Sequence, residues 1–262
     1  MEKNIFIEPS RAYAEIERDW KAWNNEVMPG VYVVGISGGV DSTCVAALAV
    51  RIFGRNRIVG VSLPCDGQHD MADVNAVFDK LGIRRVTIDI GDAFNILMNG
   101  VENNAIDATD ACRINMPARI RMTVLFAVAQ CLGGVVVNTC NLSEDVVGYS
   151  TFGGDNMGCY APIKGLTKTE VKSLAKWLGI PDVLADKTPV DGLQPLSDED
   201  KLGFTYERLD RLIRCQNVED VAFNAEIYGR FIKNRFKTDI VNIPGPAFKE
   251  LPNYARDEWG MS

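Results

Sequence analysis

The chain has 262 residues, with 28 lysines and arginines against 35 aspartates and glutamates and one histidine, for a net charge of −7. At 47% hydrophobic and 24% charged, it is neither disordered nor fibrous, and it is long enough to bury a large core. No apolar run approaches the roughly 20 residues that span a bilayer. Charges in Met1 to Ser10 exclude a signal peptide there, and the acidic balance argues against a nucleic-acid partner. These features predict a cytoplasmic protein. The seven cysteines include no C-x-x-C pair, which suits reduced thiols better than disulfides or a zinc site.

Four short β-branched runs, Val31 to Ser37, Arg57 to Pro64, Arg85 to Ile90 and Val135 to Cys140, alternate with helix-like segments. That alternation predicts an α/β fold, a Rossmann-like parallel sheet with helices on both faces. The first helices are expected over Ser42 to Phe53, stopped by Gly54, and Asp70 to Leu81, stopped by Gly82. A longer one is expected from Asn115 as N-cap, with Pro117 in its first turn, to Leu132 before Gly133-Gly134. Asn141 to Gly165 is glycine-dense and without periodicity, as functional loops are. Helices return at Thr167 to Leu178, after the Ser197-Asp-Glu-Asp200 capping box, and over Val218 to Phe236. With no repeat and no linker, residues 1–262 read as a single domain.

The strongest local signal is Gly35-Ile-Ser-Gly-Gly-Val-Asp-Ser-Thr43, between the first strand and the first helix. At such a junction unpaired amides and the positive end of the helix dipole face the turn, which favours phosphate oxygens. Ser37 and Ser42 add hydroxyls, Gly38 and Gly39 let the main chain approach an anion, and Asp41 suggests an intervening Mg²⁺. The loop lacks the spacing and the lysine of a Walker A motif.

Ser-Gly-Gly-x-Asp-Ser resembles the pyrophosphate loop of the ATP pyrophosphatases, which split ATP between its α and β phosphates. Further segments, in order, resemble ammonia-dependent NAD synthetases: Leu63-Pro64 with Gln68-His-Asp70, Asn115-Met-Pro-Ala-Arg119, Thr139 with Glu144 and Gly148, Leu166-Thr-Lys168, Lys187 to Leu193, and Ser197-Asp-Glu199 with Tyr206. The resemblance spans about Val31 to Lys237. It implies an adenine nucleotide alpha hydrolase-like fold and a C–N bond-forming ligase. Such an enzyme adenylates the nicotinate carboxylate of deamido-NAD with ATP, releases pyrophosphate and lets ammonia displace AMP.

Carried over residue by residue, the resemblance implies ATP contacts at Ser37, Gly38, Gly39, Val40, Asp41, Ser42, Thr139 and Lys168, Mg²⁺ on Asp41 and Glu144, and deamido-NAD at Arg119. Asp155, in Gly154-Asp155, is either an ammonium-binding carboxylate beside the reacting acid or an ordinary turn residue. Asp155 and Lys168 are the catalytic candidates; His69, Cys140 and Cys159 are not. The resemblance also implies a homodimer and, since only about 30 residues precede the first strand, free ammonia as the nitrogen donor.

Departures from the family pattern cluster on the dinucleotide side. Phe152 stands where a lysine is usual, Cys159 where an aspartate is usual, Arg235-Phe236 in place of a His-Lys pair and, unless the register slips to Thr188, Val190 in place of a threonine. Two alternatives follow: a ligase of the same type that adenylates a different carboxylate or carbonyl, and a nucleotide-binding homologue without catalysis. A tRNA-modifying pyrophosphatase is disfavoured by the acidic balance.

Overall fold

A computed structural model describes residues 5–65, 71–104, 106–187, 197–214 and 220–237. Strands β1 (Tyr32–Gly35), β2 (Ile58–Ser62), β3 (Arg84–Thr87) and β4 (Val135–Val136) form one parallel sheet in the order β3-β2-β1-β4. Tyr32 pairs with Ile58 on one side and with Val135 on the other. The helices are α1 (Pro9–Val27), α2 (Val40–Phe53), α3 (Met71–Leu81), α4 (Gly91–Glu102), α5 (Asp110–Cys131), α6 (Leu142–Val147), α7 (Lys168–Trp177), α8 (Asp182–Ala185), α9 (Asp198–Leu202), α10 (Tyr206–Ile213) and α11 (Val221–Asn234).

The strand period of two divides β1 between two cores. Tyr32 and Val34 pack with side chains of α1, α2, α3 and α7. Val33, together with Val59 and Val61 of β2, packs against Ile120, Met122 and Leu125 of α5 and Phe94 of α4. Helices therefore cover both faces, as the alternation predicted. A third, smaller cluster joins Val147 of α6 to Leu202, Leu209, Phe223 and Ile227. These residues come from α6, α9, α10 and α11.

Several boundaries differ from the sequence expectation. Helix α2 starts at Val40, with Gly39 as N-cap and no side-chain cap. Helix α5 starts at Asp110, five residues before Asn115, because the Thr109 hydroxyl accepts the Cys112 amide. Pro117 therefore lies inside α5, not in its first turn, where it forgoes one helical hydrogen bond. The ladder of β4 ends at Val136. The chain beyond it is engaged by residues 159–160, with the Cys159 amide donating to Val136 O and the Asn138 amide to Tyr160 O.

Helices α1 and α4 were not anticipated. In α1, Ala12, Ile16 and Trp20 recur every four residues. Trp20 is fully buried, stacked on Tyr160 and edge-on to Tyr32 and Phe53. No helix among the described residues is long and apolar enough to cross a membrane. The expected features at Gln68, His69, Asp70, Val190 and Leu193, and the expected helix start at Val218, lie outside the described residues.

Candidate active site

A cavity of about 600 Å³ opens at the C-terminal end of β1, the place where open α/β sheets bind ligands. One wall is the turn between β1 and α2. Gly38 takes a left-handed φ of 82°, which a side chain would strain. The Gly39 amide donates to Ser37 Oγ at 3.2 Å, and Ser42 Oγ donates to Gly39 O at 3.1 Å. The two serine oxygens lie 3.1 Å apart. Hydroxyls and the first amides of a 14-residue helix thus converge on one anion-attracting corner.

Behind this corner stands a buried charge cluster. Lys168, the first residue of α7, is only 2% exposed and donates to Asp41 Oδ2 at 2.5 Å and to Glu144 Oε1 at 2.9 Å. Asn141 supplies the other two donors, from Nδ2 to Asp41 Oδ1 at 2.9 Å and from its backbone amide to Glu144 Oε2 at 3.3 Å. All four carboxylate oxygens are therefore engaged. Two capping boxes set this geometry. Asn141 and Glu144 close the start of α6, and Thr167 and Glu170 close the start of α7.

Burial pushes the Glu144 carboxyl up to about 8, against the pull of Lys168. Burial alone would lower the Lys168 ammonium, but Asp41 and Glu144 hold it well above the ordinary lysine range, so it stays charged. The Tyr206 ring lies 5.0 Å from its Nζ.

The opposite wall is α5, which contributes Ile114, Asn115, Ala118, Arg121, Met122 and Leu125 at helical spacing. Arg121 donates to Leu63 O at 3.0 Å, and burial lowers its pKa. The far wall is segment 148–155. The Asp155 carboxylate accepts the Thr151 amide at 2.6 Å, and burial raises its pKa. Lys237 donates to Gly148 O at 2.7 Å and Ser150 O at 2.9 Å, which ties the short 3-10 turn after α11 to this wall.

Gly148 lies where a Cβ would sit 2.2 Å from Asn234 Cβ, and its φ is 68°. Gly148→Ala is expected to lose about 1–3 kcal/mol through overpacking and backbone strain. The check is the midpoint of denaturant unfolding.

Of the residues singled out in the sequence, Ser37, Gly39, Val40, Asp41, Ser42, Thr139, Glu144, Asp155 and Lys168 line the cavity together. Gly38 shapes the turn from outside that lining. Arg119 is exposed and donates to Phe152 O at 3.2 Å, while Arg121, two residues on, faces the cavity. Sequence reasoning missed Arg121, which shares the helical face of Ala118 and Leu125. It also missed Asn141, although Asn-x-x-Glu is a legible capping box. Phe152 packs against Phe236 at 5.7 Å, and Cys159 is exposed. Burial pushes the Cys140 thiol well up, which removes it as a nucleophile.

A family model described as NAD synthase matches residues 23–242. The NH(3)-dependent NAD(+) synthetase of Pyrococcus furiosus is 38% identical over 69% of this chain and 70% of its own length. Among solved structures, the NMN synthetase of Francisella tularensis superposes with a TM-score of 0.84 at 28% identity, covering 92% of this chain and all of that one. The NAD+ synthetase of Burkholderia pseudomallei superposes with a TM-score of 0.75 at 25% identity, covering 92% and 93%.

Proposed function

The chain belongs to the NAD synthase family, and on that premise we propose that it amidates the nicotinate carboxylate of deamido-NAD with ammonia and ATP. The observation that carries this reading is the buried Lys168 between Asp41 and Glu144, directly behind the serine-glycine turn. The turn amides, with the Ser37 and Ser42 hydroxyls, hold the β and γ phosphates. Val40 and Thr139 line the nucleotide space, and Lys168 opposes the charge that builds on the leaving pyrophosphate.

The substrate carboxylate attacks the α-phosphorus, the α–β bridging bond breaks, and an acyl adenylate and pyrophosphate form. Ammonia then attacks the acyl carbon, AMP leaves, and one proton is released. Asp155, with its raised affinity for protons, takes the proton that ammonium must lose before it attacks. Arg121 faces the acceptor end. Arg119, bonded to Phe152 O, reaches the acceptor only from the rim of that wall.

Mg²⁺ suits this donor set. Asp41 and Glu144 offer hard carboxylate oxygens that already converge on one cation, the Lys168 ammonium. Among the described residues no group of three or more His, Cys, Asp or Glu side chains is placed to hold a metal ion, so Asp41 and Glu144 are the two side chains that would hold it. When bound, the ion would supply neutralising charge to the triphosphate.

The test is product analysis after incubation with ATP, Mg²⁺, ammonium and deamido-NAD. NAD, AMP and pyrophosphate are expected in equal amounts. ADP with inorganic phosphate, or no turnover by folded protein, would overturn the reading. A second reading, in which nicotinate mononucleotide is the acceptor, is favoured by two observations. One is the likeness to the Francisella protein named for NMN. The other is the Phe152–Phe236 aromatic pair on the acceptor-side wall. The kcat/KM ratio for the two acids decides between them.

We further infer a cytoplasmic homodimer in which the chain acts as one unit, with α5 the helix suited to pack across a two-fold axis. Light scattering that gives a monomer mass would refute the dimer.

A further inference from the structure

We propose that Asp210, a residue outside the cavity, is the positioning residue that holds Lys168 and Glu144 in register with Asp41. This inference rests on the adenylation reading given above and adds a second layer to the site. Asp210 lies on α10, is fully buried and touches two functional elements at once. One carboxylate oxygen, Oδ1, accepts from the Ser143 hydroxyl at 2.5 Å. The other, Oδ2, accepts from the backbone amide of Thr169 at 2.7 Å. Ser143 Oγ in turn accepts from the backbone amide of Lys168 at 2.9 Å.

Each link has a consequence for the charged cluster. Ser143 lies in the first turn of α6, immediately before Glu144. Thr169 lies in the first turn of α7, immediately after Lys168. A single buried carboxylate therefore binds the starts of two helices whose next-door residues, Glu144 and Lys168, meet at 2.9 Å. The negative charge also sits against the positive end of α7, where it is favoured. Tyr206 lies four residues before Asp210, one helical turn away on the same face of α10, and its ring flanks the Lys168 ammonium at 5.0 Å. Helix α10 thus braces Lys168 twice, at its ammonium and at its backbone. None of these α10 groups needs to touch a substrate to act.

The test compares Asp210→Asn, Ser143→Ala and their double variant with Thr205→Ala, which removes the α10 N-cap but leaves the bridge in place. Thr205→Ala serves as the control for a purely structural loss. Steady-state AMP formation is measured alongside the melting temperature. In the folded single variants kcat is expected to fall between about ten- and a hundredfold, the scale of a 1 Å misplacement, with KM for ammonium unchanged. The double variant is expected to fall no further than the worse single, because both break one chain of bonds. Thr205→Ala is expected to keep the wild-type kcat at whatever melting temperature it has.

Wild-type kcat in folded Ser143→Ala or Asp210→Asn would overturn the inference. So would additive losses in the double variant, or an equal loss in Thr205→Ala. If Asp210→Asn does not fold, Ser143→Ala decides alone. Absence of AMP formation by the wild-type protein would instead refute the adenylation reading, so the two failures are distinguishable.

Discussion

Lys168→Met is expected to reduce AMP formation by on the order of a thousandfold, the upper range for removing one preorganised charge from a transition state. Lys168 is the cation shared by Asp41 and Glu144, and nine-tenths or more of its surface is removed from solvent. A methionine of similar length fills the space but leaves two carboxylates facing each other. Breaking a buried ion pair in this way costs about 3–5 kcal/mol, a loss softened here because Glu144 can take up a proton. The variant should therefore melt well below the wild type, and its melting temperature should recover as the pH is lowered. Lys168→Arg is not expected to rescue activity, since a planar guanidinium does not fit a site shaped for a compact ammonium. Steady-state AMP release and thermal denaturation across pH check both halves of this prediction.

Glu144→Gln separates stability from activity. The folded carboxyl titrates at about 8 against an ordinary value of 4.5, because burial penalises its charged form. Below about pH 4.5 the group is protonated in folded and unfolded chains alike, so ionisation contributes nothing to the difference between the two proteins. As the pH rises from 4.5 towards 8, the unfolded wild-type chain gives up its proton and the folded chain keeps it. The unfolded state is thereby favoured, and wild-type stability falls. A glutamine cannot ionise and escapes this loss. The stability difference should therefore move in favour of Glu144→Gln across that window, by a few kcal/mol at most, and level off above about pH 8. AMP formation by the same variant should fall on the order of a hundredfold, since the amide nitrogen replaces one of the two oxygens that accept from Lys168 and from the Asn141 amide. A pH series of denaturant unfolding curves, run beside activity assays, tests the sign directly. An advantage of Glu144→Gln over the wild type that grows towards acid would contradict it.

The sheet and the phosphate-facing turn were legible because both are local. Val31 to Ser37 and Arg57 to Pro64 carry the strand pattern within a few residues, and the turn follows at once. Lys168 and Glu144 were reached only through their order along the chain. Their meeting with Asp41 joins residues more than one hundred positions apart, and no periodicity encodes that distance. Asp210 illustrates what a single sequence hides. On α10 it reads as an ordinary surface acid, and its burial appears only when the small third core docks α10 against α6 and its carboxylate meets the start of α7.

Arg119 and Arg121 show a finer limit. Two residues on a helix point some 200° apart, so a boundary or face misjudged slightly selects the wrong one. The start of α5 moved for a related reason: Thr109 offered a better cap than Asn115, whose side chain instead accepts the Thr151 hydroxyl at 2.7 Å. The helix in 142–147 was masked by the glycines around it, although its Asn141–Glu144 capping box was in plain view.

The most direct measurement follows the oxygen atoms. With both carboxylate oxygens of the acceptor acid labelled with ¹⁸O, attack on the α-phosphorus places one label in AMP and leaves the other in the amide product. The account predicts AMP carrying one ¹⁸O and pyrophosphate carrying none. Label in pyrophosphate or inorganic phosphate, with unlabelled AMP, would contradict it.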